Sequence, residues 1–457
     1  MCNLNPKRSG MALDNHFLKT TGSLPFLRGA RALGAGVFLA FGLGAGEVAA
    51  STLPSLIEEV TAAHPSVRSQ RAQGRASQEA VNAARWQFYP TPSISVEAAG
   101  ASSQDLSYRF GSSSVTVLRL QQTLWSGGRL TAGMTKAEAG VQAGMASLDV
   151  ARHDVALRVV QTYVEWYGSH LKLVALERSL ETHARLRQQI ARRVAQGFSP
   201  ESDLILLMGR VEQLEADKAM AASRHSSALA RLAVLLGRPV RSEALIQNIA
   251  RPLEFSETSG ELLARAEASS PGVARLAAQA RMIEAEIDER KADLSPEVYA
   301  RAERQYGNFS NANASPANRL FVGMTTRFGA GLSVLSQVDG ARARYEAALA
   351  DVEGARMSTR DQVVADHVAA ESFKQRVGLL VSSLRTFEAI SYTWNRQFVA
   401  GRKTWLDVMN SARELSQMEV QLGDVYAERL LVTWRLGIAV RGIDGSMALA
   451  GAAGSSP

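Results

Sequence analysis

The chain has 457 residues, a formal net charge of +7, and 46% hydrophobic but only 6% aromatic residues. This aromatic-poor, apolar balance excludes a disordered polyelectrolyte and suits long packed helices better than the roughly three compact domains that length alone suggests. A mild positive excess spread over many helical faces gives no concentrated footprint for nucleic acid, and no nucleic-acid partner is expected.

Arg28 and Arg31 precede a small-apolar run from Ala32 to Ala45, and Val48-Ala49-Ala50 follows with small residues where a signal peptidase reads them. Residues 1–50 are therefore expected to be a Sec-type signal peptide. The run is too short and Gly-rich for a membrane anchor. The only cysteine, Cys2, falls inside this leader. A mature, exported chain starting near Ser51 is expected to carry neither a disulfide nor an acylated cysteine.

After the leader, Leu53 to Val60 reads as a short amphipathic helix, and His64-Pro65-Ser-Val67 opens a second that runs to about Gln87, before Pro90 and Pro92. Ser93 to Ala98 alternates, with Ile94, Val96 and Ala98 on one side and Ser93, Ser95 and Glu97 on the other, which is strand periodicity. Ala101 to Ser113 reads as a loop. The return run Val115 to Trp125 changes apolar phase between Val117 and Leu118, where a bulge or the end of the strand wall is expected. Leu124-Trp-Ser-Gly-Gly-Arg129 then leads into Ser126 to Gly237, two long helices folded at Ala195-Gln-Gly-Phe-Ser-Pro-Glu-Ser-Asp203. Val160, Val164, Tyr167, Leu171 and Val174 form an apolar stripe on the descending arm, flanked by Val155, Val159, Tyr163 and Trp166. Leu204, Leu207, Val211 and Leu214 repeat it on the returning arm. An alternation of four and three specifies left-handed coiling against neighbouring helices.

The same order then returns. Ser270-Pro271-Gly-Val273 repeats His64-Pro65-Ser-Val67 and Pro296 repeats Pro90, both displaced by 206 residues. Val298, Ala300 and Ala302 alternate with Tyr299, Arg301 and Glu303, and Leu320, Val322, Met324, Thr326 and Phe328 alternate after a polar loop. Phe328-Gly-Ala-Gly-Leu332 stands where Trp125 to Arg129 stood. Gly401 and Asp407 answer Gly197 and Asp203 at an offset of 204. The expected organisation is a leader (1–50), a first structural repeat of helix, β-hairpin and helical hairpin (51–245), a second repeat (246–445) and a disordered tail (446–457). The fold class is mainly α with a small β part.

Two hairpins cannot bury both sheet faces, and their edges need partners. Strands of this length and weak alternation fit an outer-membrane barrel wall built by an oligomer. The long helices are too polar to cross lipid and are expected in the periplasm. Trp125, Phe321 and Phe328 flank the strands and are expected in an interfacial aromatic girdle or at the barrel-to-helix junction.

The duplicated plan, with Leu124-Trp-Ser-Gly-Gly-Arg129 after the first hairpin and Phe398-Val-Ala-Gly401-Arg-Lys-Thr-Trp-Leu-Asp407 at the second tip, resembles the TolC-like outer-membrane factor family (outer membrane efflux proteins). Ala84-Arg-Trp-Gln-Phe-Tyr-Pro90 and Phe328 to Leu335 resemble the branch that serves type I secretion of large adhesins. The resemblance implies a homotrimer with a twelve-stranded outer-membrane β-barrel and a periplasmic α-barrel in a Gram-negative cell. It implies a passive exit duct for type I secretion of a large protein, working with a periplasmic adaptor (membrane fusion protein) and an inner-membrane ABC transporter. The same duct in a multidrug efflux pump is the alternative, and a periplasmic coiled-coil adaptor or scaffold a distant one.

No enzyme is expected. His64, His153, His170, His183, His225 and His367 have no metal-binding spacing, the glycine clusters lack the Lys-Ser/Thr of a phosphate loop, and no cofactor is implied. The resemblance instead implies a gate at the periplasmic tip. Asp407 stands at the family's first acidic position and Asn410 at the second. Phe398 replaces a tyrosine, Lys403 replaces an arginine, and Ser202 and Asp203 match the partnering residues of the first half. Gly197 and Gly401 are expected to make the tip turns that meet the adaptor. Asp203 and Asp407 also suit the first turn of a helix, where an acid favours the N-terminal dipole.

Overall fold

The computed structural model describes residues 52–99, 111–326 and 333–454. The expected leader, most of the first hairpin loop, Phe328 to Leu332 and the last three residues lie outside them. The first repeat contains α1 (Leu53–Ala63), α2 (Pro65–Trp86), β1 (Thr91–Ala98), β2 (Ser114–Trp125), α3 (Arg129–Ala195) and α4 (Glu201–Leu236). After a short α5 (Ser242–Ile246), the second contains α6 (Ser259–Ser269), α7 (Pro271–Ala292), β3 (Glu297–Tyr306), β4 (Ala317–Thr325), α8 (Ser333–Val399) and α9 (Trp405–Gly454).

The helix starts show why the two halves fold alike. Thr52 Oγ1 accepts from Ser55 N at 3.3 Å at the head of α1, and Thr258 forms a reciprocal box with Glu261 at the head of α6. Pro65 and Pro271 open α2 and α7, where a missing N–H costs nothing. The long helices α3 and α8 each have 67 residues, or about 100 Å of rod. Such rods draw most of their stability from packing. Each is held by its neighbours: α3 packs against α2, α4, α7 and α9, and α8 against α7, α6 and α9.

The largest core lies where the repeats meet. Leu53, Leu56, Ile57 and Val60 of α1 pack with Val155, Val159, Tyr163 and Trp166 of α3, Leu232 of α4, Leu245, Leu253, and Leu430 and Trp434 of α9. Both apolar stripes of α3 contribute, with Tyr167 at the margin. The segment after α5 runs across this core, and its buried backbone is satisfied by side chains of both halves. Ala250 N donates to Tyr163 Oη at 3.0 Å, Leu253 N donates to Thr433 Oγ1 at 3.2 Å, and Trp434 Nε1 donates to Arg251 O at 3.1 Å. Burial pushes the Tyr163 phenol up to about 12. The repeats are therefore knit together by their linker and do not form two separable domains.

Two sequence expectations are corrected here. The expected disordered tail from Ser446 is helical through Gly454, after a break at Gly442 with φ of 70°. Ser446 is buried and donates to Gly442 O at 2.7 Å, while Met447, Leu449 and Ala450 pack on the shared core. Local composition does not reveal that docking. In β2 the register shift lies between Thr123 and Trp125, not at Val117. Val115 and Val117 simply point to the opposite sheet face from Leu118 and Leu120.

The strands form one antiparallel sheet in the order β1-β2-β3-β4. Its central pairing joins the repeats, with Leu118 opposite Arg304 and Leu120 opposite Ala302. At the exit of β2, Gly127 has φ of 62°, and a Cβ there would collide with Ser295. Only glycine admits this approach of the two barrel-to-helix junctions.

The repeats differ in their ion pairs. Arg231 and Arg435 are equivalent at an offset of 204, but Arg231 meets Glu165 at the surface at 2.7 Å, whereas Arg435 Nε donates to the buried Asp366 at 2.8 Å. Gln362 supplies a further donor to Asp366 at 3.0 Å. Breaking a buried pair strands one charge, whereas an exposed pair is already screened. Asp366→Ala should cost about 3 kcal/mol in the urea unfolding of the detergent-solubilised protein, and Arg231→Ala less than about 1 kcal/mol.

Candidate functional site

The two helical hairpins turn by the same device. Phe198 N donates to Arg193 O at 2.8 Å and Gly197 N to Val194 O at 3.0 Å; Arg402 N donates to Gln397 O at 2.8 Å and Gly401 N to Phe398 O at 3.0 Å. These paired bonds close a helix over a left-handed residue. Gly197 and Gly401 both have φ of 75°, with nothing within 4 Å of an added Cβ, so the demand for glycine is conformational and not steric crowding.

Asp407 sits in the first turn of α9. Its Oδ2 accepts from Thr404 Oγ1 at 2.8 Å and Thr404 N at 3.1 Å, and Asp407 N donates back to Thr404 Oγ1 at 3.3 Å. Lys403 Nζ lies 3.7 Å from the same oxygen and 4.3 Å above the Trp394 ring. The Thr404 hydrogen bonds, with a smaller contribution from Lys403, hold the Asp407 carboxyl below the usual range. In the first repeat the corresponding cap position is Pro200, which has no hydroxyl, and Asp203 offers only its N–H to Pro200 O at 3.2 Å. Among the described residues, no hydrogen bond or ion pair joins Ser202 or Asp203 to Asp407 within the chain, and the Asp203 carboxylate is free. Asn410 is half-buried on the next turn of α9 and makes no side-chain bond within the chain.

Phe398 is buried beneath the second turn. It packs on Trp405 at 5.5 Å between centroids, with Leu186, Ile190, Leu207, Val408 and Met409 around them. The Arg193 guanidinium lies 4.6 Å over the Phe398 ring and donates to Phe398 O at 3.2 Å. Arg193 thus ties the first hairpin to the second. Neither Arg193 nor Trp405 stood out in the sequence, because their role depends on contacts between segments about two hundred residues apart. Thr404 was legible in principle: Thr-x-x-Asp at a helix start is a capping pattern. Among the described residues no group of three His, Cys, Asp or Glu could hold a metal, and no helix is long and apolar enough to cross a membrane.

The sheet has two unlike faces. Ile94, Val96, Leu118, Leu120, Leu320, Val322 and Met324 share one face and are exposed, Leu320 at 77%. The shifted register places Trp125 opposite Val298, on this apolar side. The other face is polar: Arg119 pairs with Glu303 at 2.7 Å, and Thr123 donates to Glu297 at 2.9 Å. Phe321 belongs to that polar face, 4.7 Å from the Arg301 guanidinium, and not to an apolar girdle.

Residues 56–238 match the family model described as outer membrane efflux protein. Over that stretch the chain is similar to this family. Proteins of that family are outer-membrane channels with a passive and not an enzymatic role. No curated protein matches the chain significantly. Among solved structures it is similar to the outer membrane protein VceC of Vibrio cholerae, with 17% identity, a TM-score of 0.74, and coverage of 85% of this chain and 96% of that one. The MtrE outer membrane channel of Neisseria gonorrhoeae gives 18% identity, a TM-score of 0.68, and coverage of 86% and 89%. The CmeC outer membrane channel of Campylobacter jejuni gives 14%, 0.70, 86% and 85%. At these identities the likeness is one of fold, and it covers about 85% of the chain.

Thr404→Ala should raise the Asp407 pKa toward its ordinary value and fray the first turn of α9. Because folding depresses this pKa, the box stabilises fully above the unfolded Asp value and is lost as pH falls through the depressed folded value. Protection of amides 404–408, measured against their intrinsic exchange rates at each pH, should therefore fall on acidification in the wild type, and be low and less pH-dependent in Thr404→Ala.

Proposed function

We propose that three copies of the chain close into one barrel and tunnel, which serves as the outer-membrane exit duct of a tripartite export system. One observation carries this reading: the four-stranded sheet has free edges at β1 and β4, one exposed apolar face and one ion-paired polar face. A lone sheet of this kind is insoluble in water and unsatisfied in lipid. Closure by identical neighbours pairs both edges, turns the apolar face to the bilayer and leaves the polar face around a lumen. Each β4, with 9 residues, is of the length that spans an outer membrane.

The cargo we favour is a large polypeptide passed by an inner-membrane ABC transporter through a periplasmic adaptor docked at the Gly197 and Gly401 tips. The supporting feature is the Ala84 to Pro90 segment and its likeness to the type I secretion branch. Drug efflux is the second reading, favoured by the description of the matched family. Deleting the gene should abolish export of one large secreted protein and leave drug susceptibility unchanged; the opposite pattern assigns the channel to efflux.

At the periplasmic end, Asp407, Asn410, Lys403, Phe398, Ser202 and Asp203 are proposed as the closing constellation. Within a chain, Asp407 is held by its own turn while the Asp203 carboxylate is free. A three-fold axis brings like carboxylates together, which attracts multivalent cations. In planar-bilayer recordings, Asp407→Ala should raise conductance and weaken block by divalent or trivalent cations added on the tip side. Unchanged conductance and block in an assembled trimer would reduce Asp407 to a helix-capping residue.

A further inference from the structure

The polar face of the sheet is not evenly charged along the strands. Pairing places Ser93, Arg119, Glu303 and Arg319 in one row across the four strands, and Thr91, Gln121, Arg301 and Phe321 in the adjacent row on the same face. The two rows lie about 7 Å apart. They hold three arginines against one glutamate. Glu303 is nearly enclosed, with Arg119 Nε at 2.7 Å and Arg301 Nε at 3.1 Å from its Oε1. Arg319 is exposed and donates to Gln305 Oε1 at 3.1 Å. Arg301 is fixed between the rings of Tyr299 and Phe321, at 5.6 and 4.7 Å. The other acids of this face stand at its ends. Glu97 faces Val115 beyond the arginines, and Glu297 at the helical end is already occupied by Thr123 at 2.9 Å and Arg129 at 3.3 Å.

We infer that these rows form a cationic belt inside the barrel that selects for anions and binds multivalent oxyanions at the membrane-embedded exit of the pore. The inference rests on the trimeric channel reading above and adds a selectivity to it. Each chain leaves two arginine charges uncompensated in the belt, and three-fold closure sets six around the lumen. Twelve strands about 4.8 Å apart and tilted by about 40° put the backbone about 12 Å from the axis. Inward arginines bring the whole bore within the Debye length of about 10 Å at 0.1 M salt. The low-dielectric wall focuses that field. Guanidinium groups are also suited to the class of ligand, since their planar forks bond carboxylate and phosphate oxygens two at a time. Arg119 and Arg319 remain open enough to do so, while Arg301, pinned by its aromatic neighbours, supplies fixed charge.

The belt is tested by single-channel recording of the full-length trimer in planar bilayers, with inorganic tripolyphosphate added on the barrel side. The wild type should be blocked at 0.1 M KCl, and block should largely disappear at 1 M KCl, where the Debye length is about 3 Å. Arg119→Gln/Arg319→Gln should raise the blocking concentration at least about tenfold, and Arg319→Gln alone, which loses only one contact to Gln305, should raise it by less. Glu303→Gln should lower it. Asp407→Ala, at the far end of the tunnel, should leave this block unchanged. A conducting wild-type trimer without barrel-side block, or one whose block is indifferent to the arginine substitutions, overturns the belt while the channel reading stands. A wild-type trimer that never conducts overturns both.

Discussion

The structure turns on backbone hydrogen bonds that one chain cannot complete. Within the sheet every interior strand is paired, but the outer edges of β1 and β4 present N–H and C=O groups to their surroundings. In a bilayer each unsatisfied group costs several kcal/mol. Neither side-chain packing nor helix formation can relieve that cost. A closed ring of identical sheets can, and the apolar outer face with Ile94, Leu320 and Met324 exposed is what such a ring needs against lipid. The polar face follows from the same closure, because alternation sends every second residue inward.

The helices inherit their arrangement from this ring. The sheet order β1-β2-β3-β4 is continued below by α2, α3, α7 and α8, packed in the same sequence. The two halves meet at the base of the sheet through Gly127 and Ser295, midway through Trp166, Trp434 and the linker, and at the tips through Arg193 and Phe398. These junctions tie α3 in turn to the end of α7, to α9 and to the end of α8. The tips are thus positioned by contacts made along the whole rod, and the second is better braced than the first, since Asp407 has Thr404 where Asp203 has only Pro200.

Much of this was legible in the chain itself. A displacement of 206 residues between the Pro65 and Pro271 helix starts, and of 204 between the turn glycines, revealed a duplication that the structure repeats down to the hydrogen bonds of each tip. Strand alternation identified both hairpins. What escaped notice depends on contacts distant in sequence. Val115 and Val117 look like a break in phase until β1 and β3 define which face is which. Met447 and Leu449 read as a loose tail because the core that receives them belongs to α1 and the linker. Asp366 resembles any helical acid until Arg435 arrives from α9. At the tip, Asp407 was readable as a helix-start acid, while the enclosure of Phe398 by Arg193 and Trp405 was not.

The central claim, that β1 of one copy pairs with β4 of the next, is open to direct measurement by crosslinking. The one cysteine of the sequence, Cys2, lies in the expected leader, so introduced thiols report cleanly. Cysteine is placed at Ser95 in β1 and, one at a time, at Ala317, Arg319 or Phe321 on the same face of β4. Oxidised outer-membrane fractions are then run on non-reducing gels. Closure by identical neighbours predicts a ladder ending at a covalent trimer for at least one register and loss of that ladder on reduction. Membrane-inserted protein that stays monomeric at every register would contradict it.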